Sequence, residues 1–285
     1  MLQNFKAINE FRCILGEAPI YDDRCDSFLY VDIKRNYLYK YNLKTQITQC
    51  FKTPKLTSAC LLSTLDEVYL LVSQDGLFIL DSQKNILTHY CAFSFVNVRP
   101  NECQVLSDGL YISAMNVNAQ KNGGALYKFN NKLLKLELLI DNLNVPNTLV
   151  EDDNYIYFHD SLAHKYYHLD KKSRQIHQHI GPQKGILDGS CILSDHTILN
   201  ANWALGRIDH YKISPEGLSL IQSMPVPLTQ PSSVALGGIA LKKLLITSAA
   251  DGLNKPAPLD GAALIVQTDF TGQKYKRFNL GDKNE

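Results

Sequence analysis

LYVDIKRNYLYKYN, residues 29–42, decides the fold. It is two short apolar runs rich in Tyr, Leu and Val, separated by a charged turn. Each run is too short for a helix of several turns, and the two read together as a strand, a turn and a second strand. The same pair recurs five times further on: VYLLV with GLFILD from Val68, LYISAM with ALYKFN from Leu110, YIYFHD with YYHLD from Tyr155, TILNANW with RIDHYKI from Thr197, and LLITSA with ALIVQTD from Leu244. The starts are about 39 to 47 residues apart, the period of a four-stranded propeller blade. The expected fold is therefore all-β, a six-bladed β-propeller, with residues 1–285 as one domain.

Other parts of the chain fit that reading. The turns DDRCDS, STLDE, LSDG, EDDN and LSDH precede the apolar strands and are rich in residues that favour turn geometry. LLKLELL, residues 133–139, is ambiguous on length and is read as strand. The segments around Phe5 to Cys13 and Tyr275 to Leu280 are strand-like and lie outside the six cores, so they are expected to pair with each other and close the ring, removing exposed edges. The loops at 118–124 and 248–261 are expected on the rim.

Composition narrows the function. With 29 basic and 28 acidic residues and no long run of either sign, the chain lacks an electrostatic footprint for nucleic acid or an anionic membrane. Small ligands of little charge are the expected partners. Seven cysteines, an odd number without a CxxC pair, argue against a full disulfide framework and for buried thiols in a reducing compartment. The N-terminal stretch has no apolar signal-like run and no segment has the apolar length of a membrane span, so a cytoplasmic location is expected. Oligomeric state is not legible.

Glu17, inside LGEAP at residues 15–19, sits at the head of an apolar strand. A buried carboxylate there needs a cation or a cluster of donors. RPNE at 99–102, VPNT at 145–148 and LDGS at 187–190 occupy a similar phase of their repeats. Equal phase in a ring means equal height, so Glu17, Asn101, Asn147 and Asp188 are expected to converge at one end of the central channel, with Arg99 on the same face as Asn101. Two carboxylates and amide oxygens form an all-oxygen set, which suits one hard divalent cation, Ca²⁺, Mg²⁺ or Mn²⁺, with Zn²⁺ also compatible. Each residue also has a plainer reading. Glu17 could bond backbone donors at a strand end, the asparagines and Asp188-Gly189 could form turns, and Arg99 could sit in a surface ion pair.

Taken in order, LGEAP with LYVDI, RPNE with GLYISAM, VPNTL with YFHDS, LDGS, and LGG followed by LLITSA resemble the motifs of the gluconolactonase-like family that includes senescence marker protein 30. The resemblance covers nearly the whole chain. It implies a six-bladed propeller with one divalent metal in the channel that hydrolyses sugar lactones. It further implies Glu17, Asn147 and Asp188 as metal ligands, Asp188 as general base, and Arg99 and Asn101 as contacts to the lactone oxygens. Gln120 stands at the lid position where some members carry a substrate-contacting Glu. Glu102 replaces the family's usual Asp, Leu187 its usual Pro, and Tyr21 a frequent Trp.

The expected activity is hydrolysis of an aldonolactone to its aldonic acid, with a metal-polarised carbonyl and carboxylate-activated water. Two alternatives stand beside it: an organophosphate or aryl-ester hydrolase on the same site, and a calcium-binding regulatory propeller without turnover. His164, His168, His177 and His179 are read as surface or packing residues. Ser58, Ser190 and Ser248 lack a GxSxG elbow or an implied base. Cys103 and Cys191 are read as buried inert thiols. Trp203 could be packing or a wall of the mouth.

Overall fold

The strand Ser27–Asp32 is buried along its whole length, and its side chains alternate between two different cores. Phe28 and Tyr30 pack with Ala235 and Leu245, whereas Leu29 and Val31 pack with Leu62 and Leu71. A strand covered on both faces carries an unbroken apolar run, which is why LYVDI and its counterparts lack polar alternation.

The computed structural model describes residues 2–93, 95 and 97–281 and arranges them as a six-bladed β-propeller. Blade one is Gly16–Asp22, Ser27–Asp32, Tyr37–Asn42 and Thr48–Lys52, running from the innermost strand to the outermost. Blade two starts at Ala59–Leu62, blade three at Val98–Leu106, blade four at Pro146–Glu151, blade five at Leu187–Ile192 and blade six at Pro231–Gly237. Each recurring pair forms the second and third strands of its blade. The innermost strands contact one another in cyclic order around the channel. The core is accordingly divided into six apolar clusters, one in each gap between neighbouring blades. Residues 133–139 are strand from Lys135 onward, after a turn.

Ring closure differs from the sequence expectation, because the two termini do not pair with each other. Lys6–Ala7 instead forms the outer strand of blade six, with Lys6 opposite Ile265 and Ala7 opposite Leu264. The C-terminal segment runs as a strap across the end of the channel. It bridges to Leu193 of blade five through Gly272 and to Ser63 of blade two through Phe278. Between these points Tyr275 donates no strand bond but accepts the Leu236 N–H at its hydroxyl, 3.1 Å away. Lys276 pairs with Glu151, and Arg277 with Asp22 and Asp23. The strap wins over terminal pairing because a back-face position lets it bury Phe278 and Leu280 in the gap between blades two and three.

All seven cysteines are free thiols, and five are buried. Among the described residues, no helix is long and apolar enough to cross a membrane.

Phe278 is 5% exposed and meets the rings of Tyr90 and Phe129. Phe278→Ala should cost about 3–5 kcal/mol in equilibrium urea unfolding, whereas alanine at exposed Asn279 should stay within about 0.5 kcal/mol. A loss at Phe278 below about 1 kcal/mol would show that the strap lies on the fold without being part of its core.

Candidate functional site

An innermost strand directs alternate side chains into its two flanking gaps, so a side chain reaches the channel only if the backbone is re-aimed. β-Bulges do this. Register breaks occur between Glu17 and Ile20, Pro100 and Cys103, Asn147 and Val150, Leu187 and Ser190, and Pro231 and Ser233. Four of these five bulges fall on the sequence motifs. Asp188-Gly189 is therefore part of a bulged strand and not a turn. A Cβ on Gly189 would lie 2.1 Å from Ser233 Oγ, so the glycine permits blades five and six to approach.

The segments leading into these strands are also held. Asp32 accepts the N–H groups of Ile14 and Leu15 at 2.9 and 3.2 Å, upstream of Glu17. Asp160 does the same for Asn144 and Val145 at 2.8 and 3.0 Å, upstream of Asn147. Asn202 accepts the Ile186 N–H at 3.1 Å, upstream of Asp188.

Glu17, Arg99, Asn101, Asn147 and Asp188 all line one cavity of about 470 Å³ at the mouth of the channel. Arg99 Nη1 donates to Asn101 Oδ1 at 2.9 Å, and Asn101 Nδ2 donates to Asn147 Oδ1 at 2.6 Å. Asn147 Nδ2 in turn donates to Ser161 Oγ at 2.9 Å. Glu17 accepts only the adjacent Ala18 N–H, at 3.1 Å. Gln120 stands apart: it is exposed on its loop, and Asn118 and Ala119 of the same loop reach the cavity in its place.

The rim is made by the loops that join second to third strands, and it has two characters. Lys34 of blade one and Asp251 of blade six form an ion pair at 2.6 Å on one side. Val117, Leu162 and Trp203 of blades three, four and five make an apolar wall on the other. Trp203 is thus a wall of the mouth.

Deeper in the channel, a cavity of about 80 Å³ is lined by Glu102, Cys103, Ser190, Ser233 and Tyr275, among others. Burial pushes the Cys103 thiol up, consistent with an inert role. Glu102 accepts a 3.1 Å bond from Gln104 Nε2. Burial lifts its carboxyl to about 8, against the Gln104 bond and with help from the charge on Glu17. Burial likewise lifts Glu17 to about 7, opposed by the Ala18 N–H and by Arg99. Asp188 is raised by burial first, then by Glu17 and Glu102, with Arg99 opposing. Arg99 is lowered by its own burial, against the pull of Glu17 and Asp188.

Glu17 and Asp188 thus face one guanidinium at the mouth, with Glu102 in the cavity below, and the three acids, when ionised, leave a deficit of two positive charges. A divalent cation matches that deficit, and the oxygen donors suit a hard one. No cluster of three or more His, Cys, Asp or Glu side chains placed to hold a metal occurs among the described residues. Any ion at the mouth would have to draw on Asn147 and water beside Glu17 and Asp188.

The SMP-30/gluconolactonase/LRE-like family model matches residues 15–250. The chain belongs to this family. A putative sugar lactone lactonase of Rhizobium meliloti (strain 1021) is 26% identical over 292 residues, spanning 96% of this chain and 97% of that protein. Regucalcin of Danio rerio is 25% identical over 285 residues, spanning 94% and 92%. Among solved structures, a calcium-binding protein, regucalcin, from Agrobacterium tumefaciens superposes with a TM-score of 0.88 at 23% identity over 98% of both chains. A gluconolactonase from Xanthomonas campestris gives 0.72 at 12% identity over 92% of this chain and 89% of that one. At these identities the superpositions establish the propeller and nothing finer.

Within this SMP-30/gluconolactonase/LRE-like propeller, sequence reasoning gave no role to Glu102, Ser161 or the Lys34–Asp251 pair. Glu102 was visible as a carboxylate next to Asn101, but its burial was not. The other candidates separate from the site. His164 lies in a turn, with Nδ1 3.0 Å from the Pro182 carbonyl. His168 stacks on His177 and His179 at 4.8 and 5.2 Å. Ser58 and Ser248 donate to the Pro100 and Ala262 carbonyls.

The raised carboxyls have a consequence for stability. Glu17 and Glu102 move from 4.5 to about 7 and about 8, so the folded chain holds protons that the unfolded chain has lost. Their contribution is complete below about pH 4.5 and disappears as pH rises through 7 to 8. Below about pH 6.5 burial of His159, whose imidazole is pushed down to about 3, works in the opposite direction, so with a chelator present Tm should fall between pH 7 and 8.5, and Glu102→Gln should flatten the decline. A metal-free Tm that rises across that interval would refute the charge assignment.

Proposed function

We propose that this protein is a metal-dependent sugar lactonase that opens an aldonolactone to its aldonic acid. The observation that carries this reading is the convergence of Glu17, Asn147 and Asp188 at a channel mouth where the two carboxylates outnumber the one guanidinium beside them. The named relatives, a putative sugar lactone lactonase and regucalcins among them, support it.

Glu17, Asn147 and Asp188 would hold the ion, Ca²⁺ first among the candidates. When bound, such an ion polarises the lactone carbonyl and stabilises the negative charge that develops on its oxygen. The side chains do the rest. Arg99 and Asn101 orient the ring by bonds to its oxygens, and the guanidinium is kept charged by the acids around it. Asp188 takes the proton of the attacking water, a role that its restricted, water-poor setting favours. The C–O bond of the ring then breaks, the departing ring oxygen takes the proton held by Asp188 and becomes a hydroxyl, and the new carboxylic acid releases its proton to solvent as the carboxylate. The apolar wall of Leu162 and Trp203 suits the less polar face of a sugar ring, and the Lys34–Asp251 side suits its hydroxyls. Gln120 would reach substrate only if its loop folded inward.

That same apolar wall favours one second reading, hydrolysis of aryl esters by the same groups. A substrate panel distinguishes the two.

The test is proton release from pentonic and hexonic lactones and from aryl esters, using chelated protein reloaded with Ca²⁺, Mg²⁺, Mn²⁺, Fe²⁺ or Zn²⁺ in turn. Lactone turnover should return with metal and fall at least about a hundredfold in Asp188→Ala. Arg99→Ala should instead lower kcat/KM with the metal still bound. Near-parental turnover by metal-loaded Asp188→Ala would remove the assigned base, and failure of every lactone with metal demonstrably bound would remove the lactonase reading.

A further inference from the structure

Around the channel, a buried hydroxyl of one blade repeatedly bonds the carbonyl just before the site residue of the next. Ser58 donates to the Pro100 carbonyl, Ser113 to Pro146 at 2.8 Å, Ser161 to Leu187, and Ser232 to Gly16. These carbonyls precede Asn101, Asn147, Asp188 and Glu17 respectively. Ser161 differs from the others in its second partner: its oxygen receives the side-chain Nδ2 of Asn147 at 2.9 Å, whereas Ser113 receives the backbone N–H of Glu102 and Ser232 meets Thr247 Oγ1, each at 3.0 Å.

Ser161 thereby ends a directed chain. Arg99 Nη1 donates to Asn101 Oδ1, Asn101 Nδ2 to Asn147 Oδ1, Asn147 Nδ2 to Ser161 Oγ, and Ser161 Oγ to the Leu187 carbonyl. A guanidinium can only donate and a carbonyl can only accept, so the two ends fix the direction of every bond between them. Flipping Asn147 would set its NH₂ against that of Asn101. It would also draw the single Ser161 proton away from Leu187, leaving that carbonyl without its bond. The orientation of an amide that is ordinarily ambiguous is here determined by its partners. Ser161 is wholly buried and Asn147 is 4% exposed, so water has little access to replace a lost partner.

We propose that Ser161 is a positioning residue of this site, holding Asn147 with Oδ1 toward the channel and fixing the backbone beside Asp188 through one hydroxyl. The orientation rests on the bonds alone. Its consequence for cation affinity rests additionally on the metal reading above. Asn147 Oδ1 accepts one bond from Asn101 and keeps a second lone pair for a cation, and such supporting partners typically set metal affinity by about 10–100-fold.

The experiment uses full-length, chelated, ¹⁵N-labelled protein and follows solvent exchange of the Asn147 side-chain NH₂, assigned by its loss in Asn147→Asp. Exchange should be at least about tenfold faster in Ser161→Ala and unchanged in Ser232→Ala, which removes a hydroxyl of the same ring without touching Asn147. Should Ser161→Ala not fold, Ser161→Cys keeps the shape of the side chain at a somewhat larger volume, with a weaker donor and acceptor, and carries the same comparison. In a second arm, calorimetric Ca²⁺ and Mn²⁺ titrations should show Kd raised about 10–100-fold by the Ser161 variant. Unaltered Asn147 exchange, or equal acceleration by Ser232→Ala, overturns the proposal. If the parental protein binds neither cation, the metal reading fails while the exchange arm still decides the role of Ser161.

Discussion

The site depends on one geometric constraint: an innermost strand packed on both sides can offer a side chain to the channel only by breaking its own register. The bulges at Glu17, Asn101, Asn147 and Asp188 are such breaks, and they cost ladder hydrogen bonds at each position. The neighbouring blade replaces part of what is lost, through the serine hydroxyls that bond the carbonyls before each site residue. Formation of the site and closure of the ring are therefore one event. A blade removed from the ring would lose both its apolar flanks and the donors that keep its bulge in place.

Charge imposes a second constraint. Glu17 and Asp188 meet Arg99 at the mouth while Glu102 lies in the cavity below, and the pKa shifts of all three acids are upward because burial outweighs the donors and the one guanidinium that oppose it. Such a group can exist as a partly protonated set or as an ionised set with a cation, and the two differ in stability and in chemistry. The acid that serves as a base must be ionised to act. In the proposed mechanism, cation binding and basicity at Asp188 would thus be coupled by electrostatics before any substrate arrives.

Much of this was legible in the sequence. The two-sided apolar strands repeat at a propeller period because the blades stack through both faces of Ser27–Asp32 and its equivalents. Glu17, Arg99, Asn101, Asn147 and Asp188 were found together because equal phase in a cyclic repeat becomes equal height. What was not legible depends on contacts between blades. Ser161 lies 26 residues from Leu187, and Ser232 lies 216 residues from Gly16, with no local signal to connect either pair. The termini were misread for a similar reason: strand character shows that a segment seeks a partner, but not that Lys6–Ala7 finds blade six while Phe278 finds the gap between blades two and three. Gln120 was aligned by motif, yet the direction of an exposed loop side chain is not set by the repeat that the motif follows.

The two levels of the mouth are built from different parts of the chain. Residues that meet the channel at the level of Asp188 come from bulged first strands, whereas Lys34, Val117, Leu162, Trp203 and Asp251 come from loops between second and third strands. The loops reach the segments before the bulges through backbone N–H groups, those of Asp251 to Ile14, Val117 to Asn97 and Trp203 to Ile186, so the charged and apolar side chains of the rim can change while those backbone bonds stay in place. That separation lets one set of chemical groups accept ligands of different polarity. On that division, a change of rim side chains would alter which ligands the mouth accepts while the bulged strands below kept their arrangement.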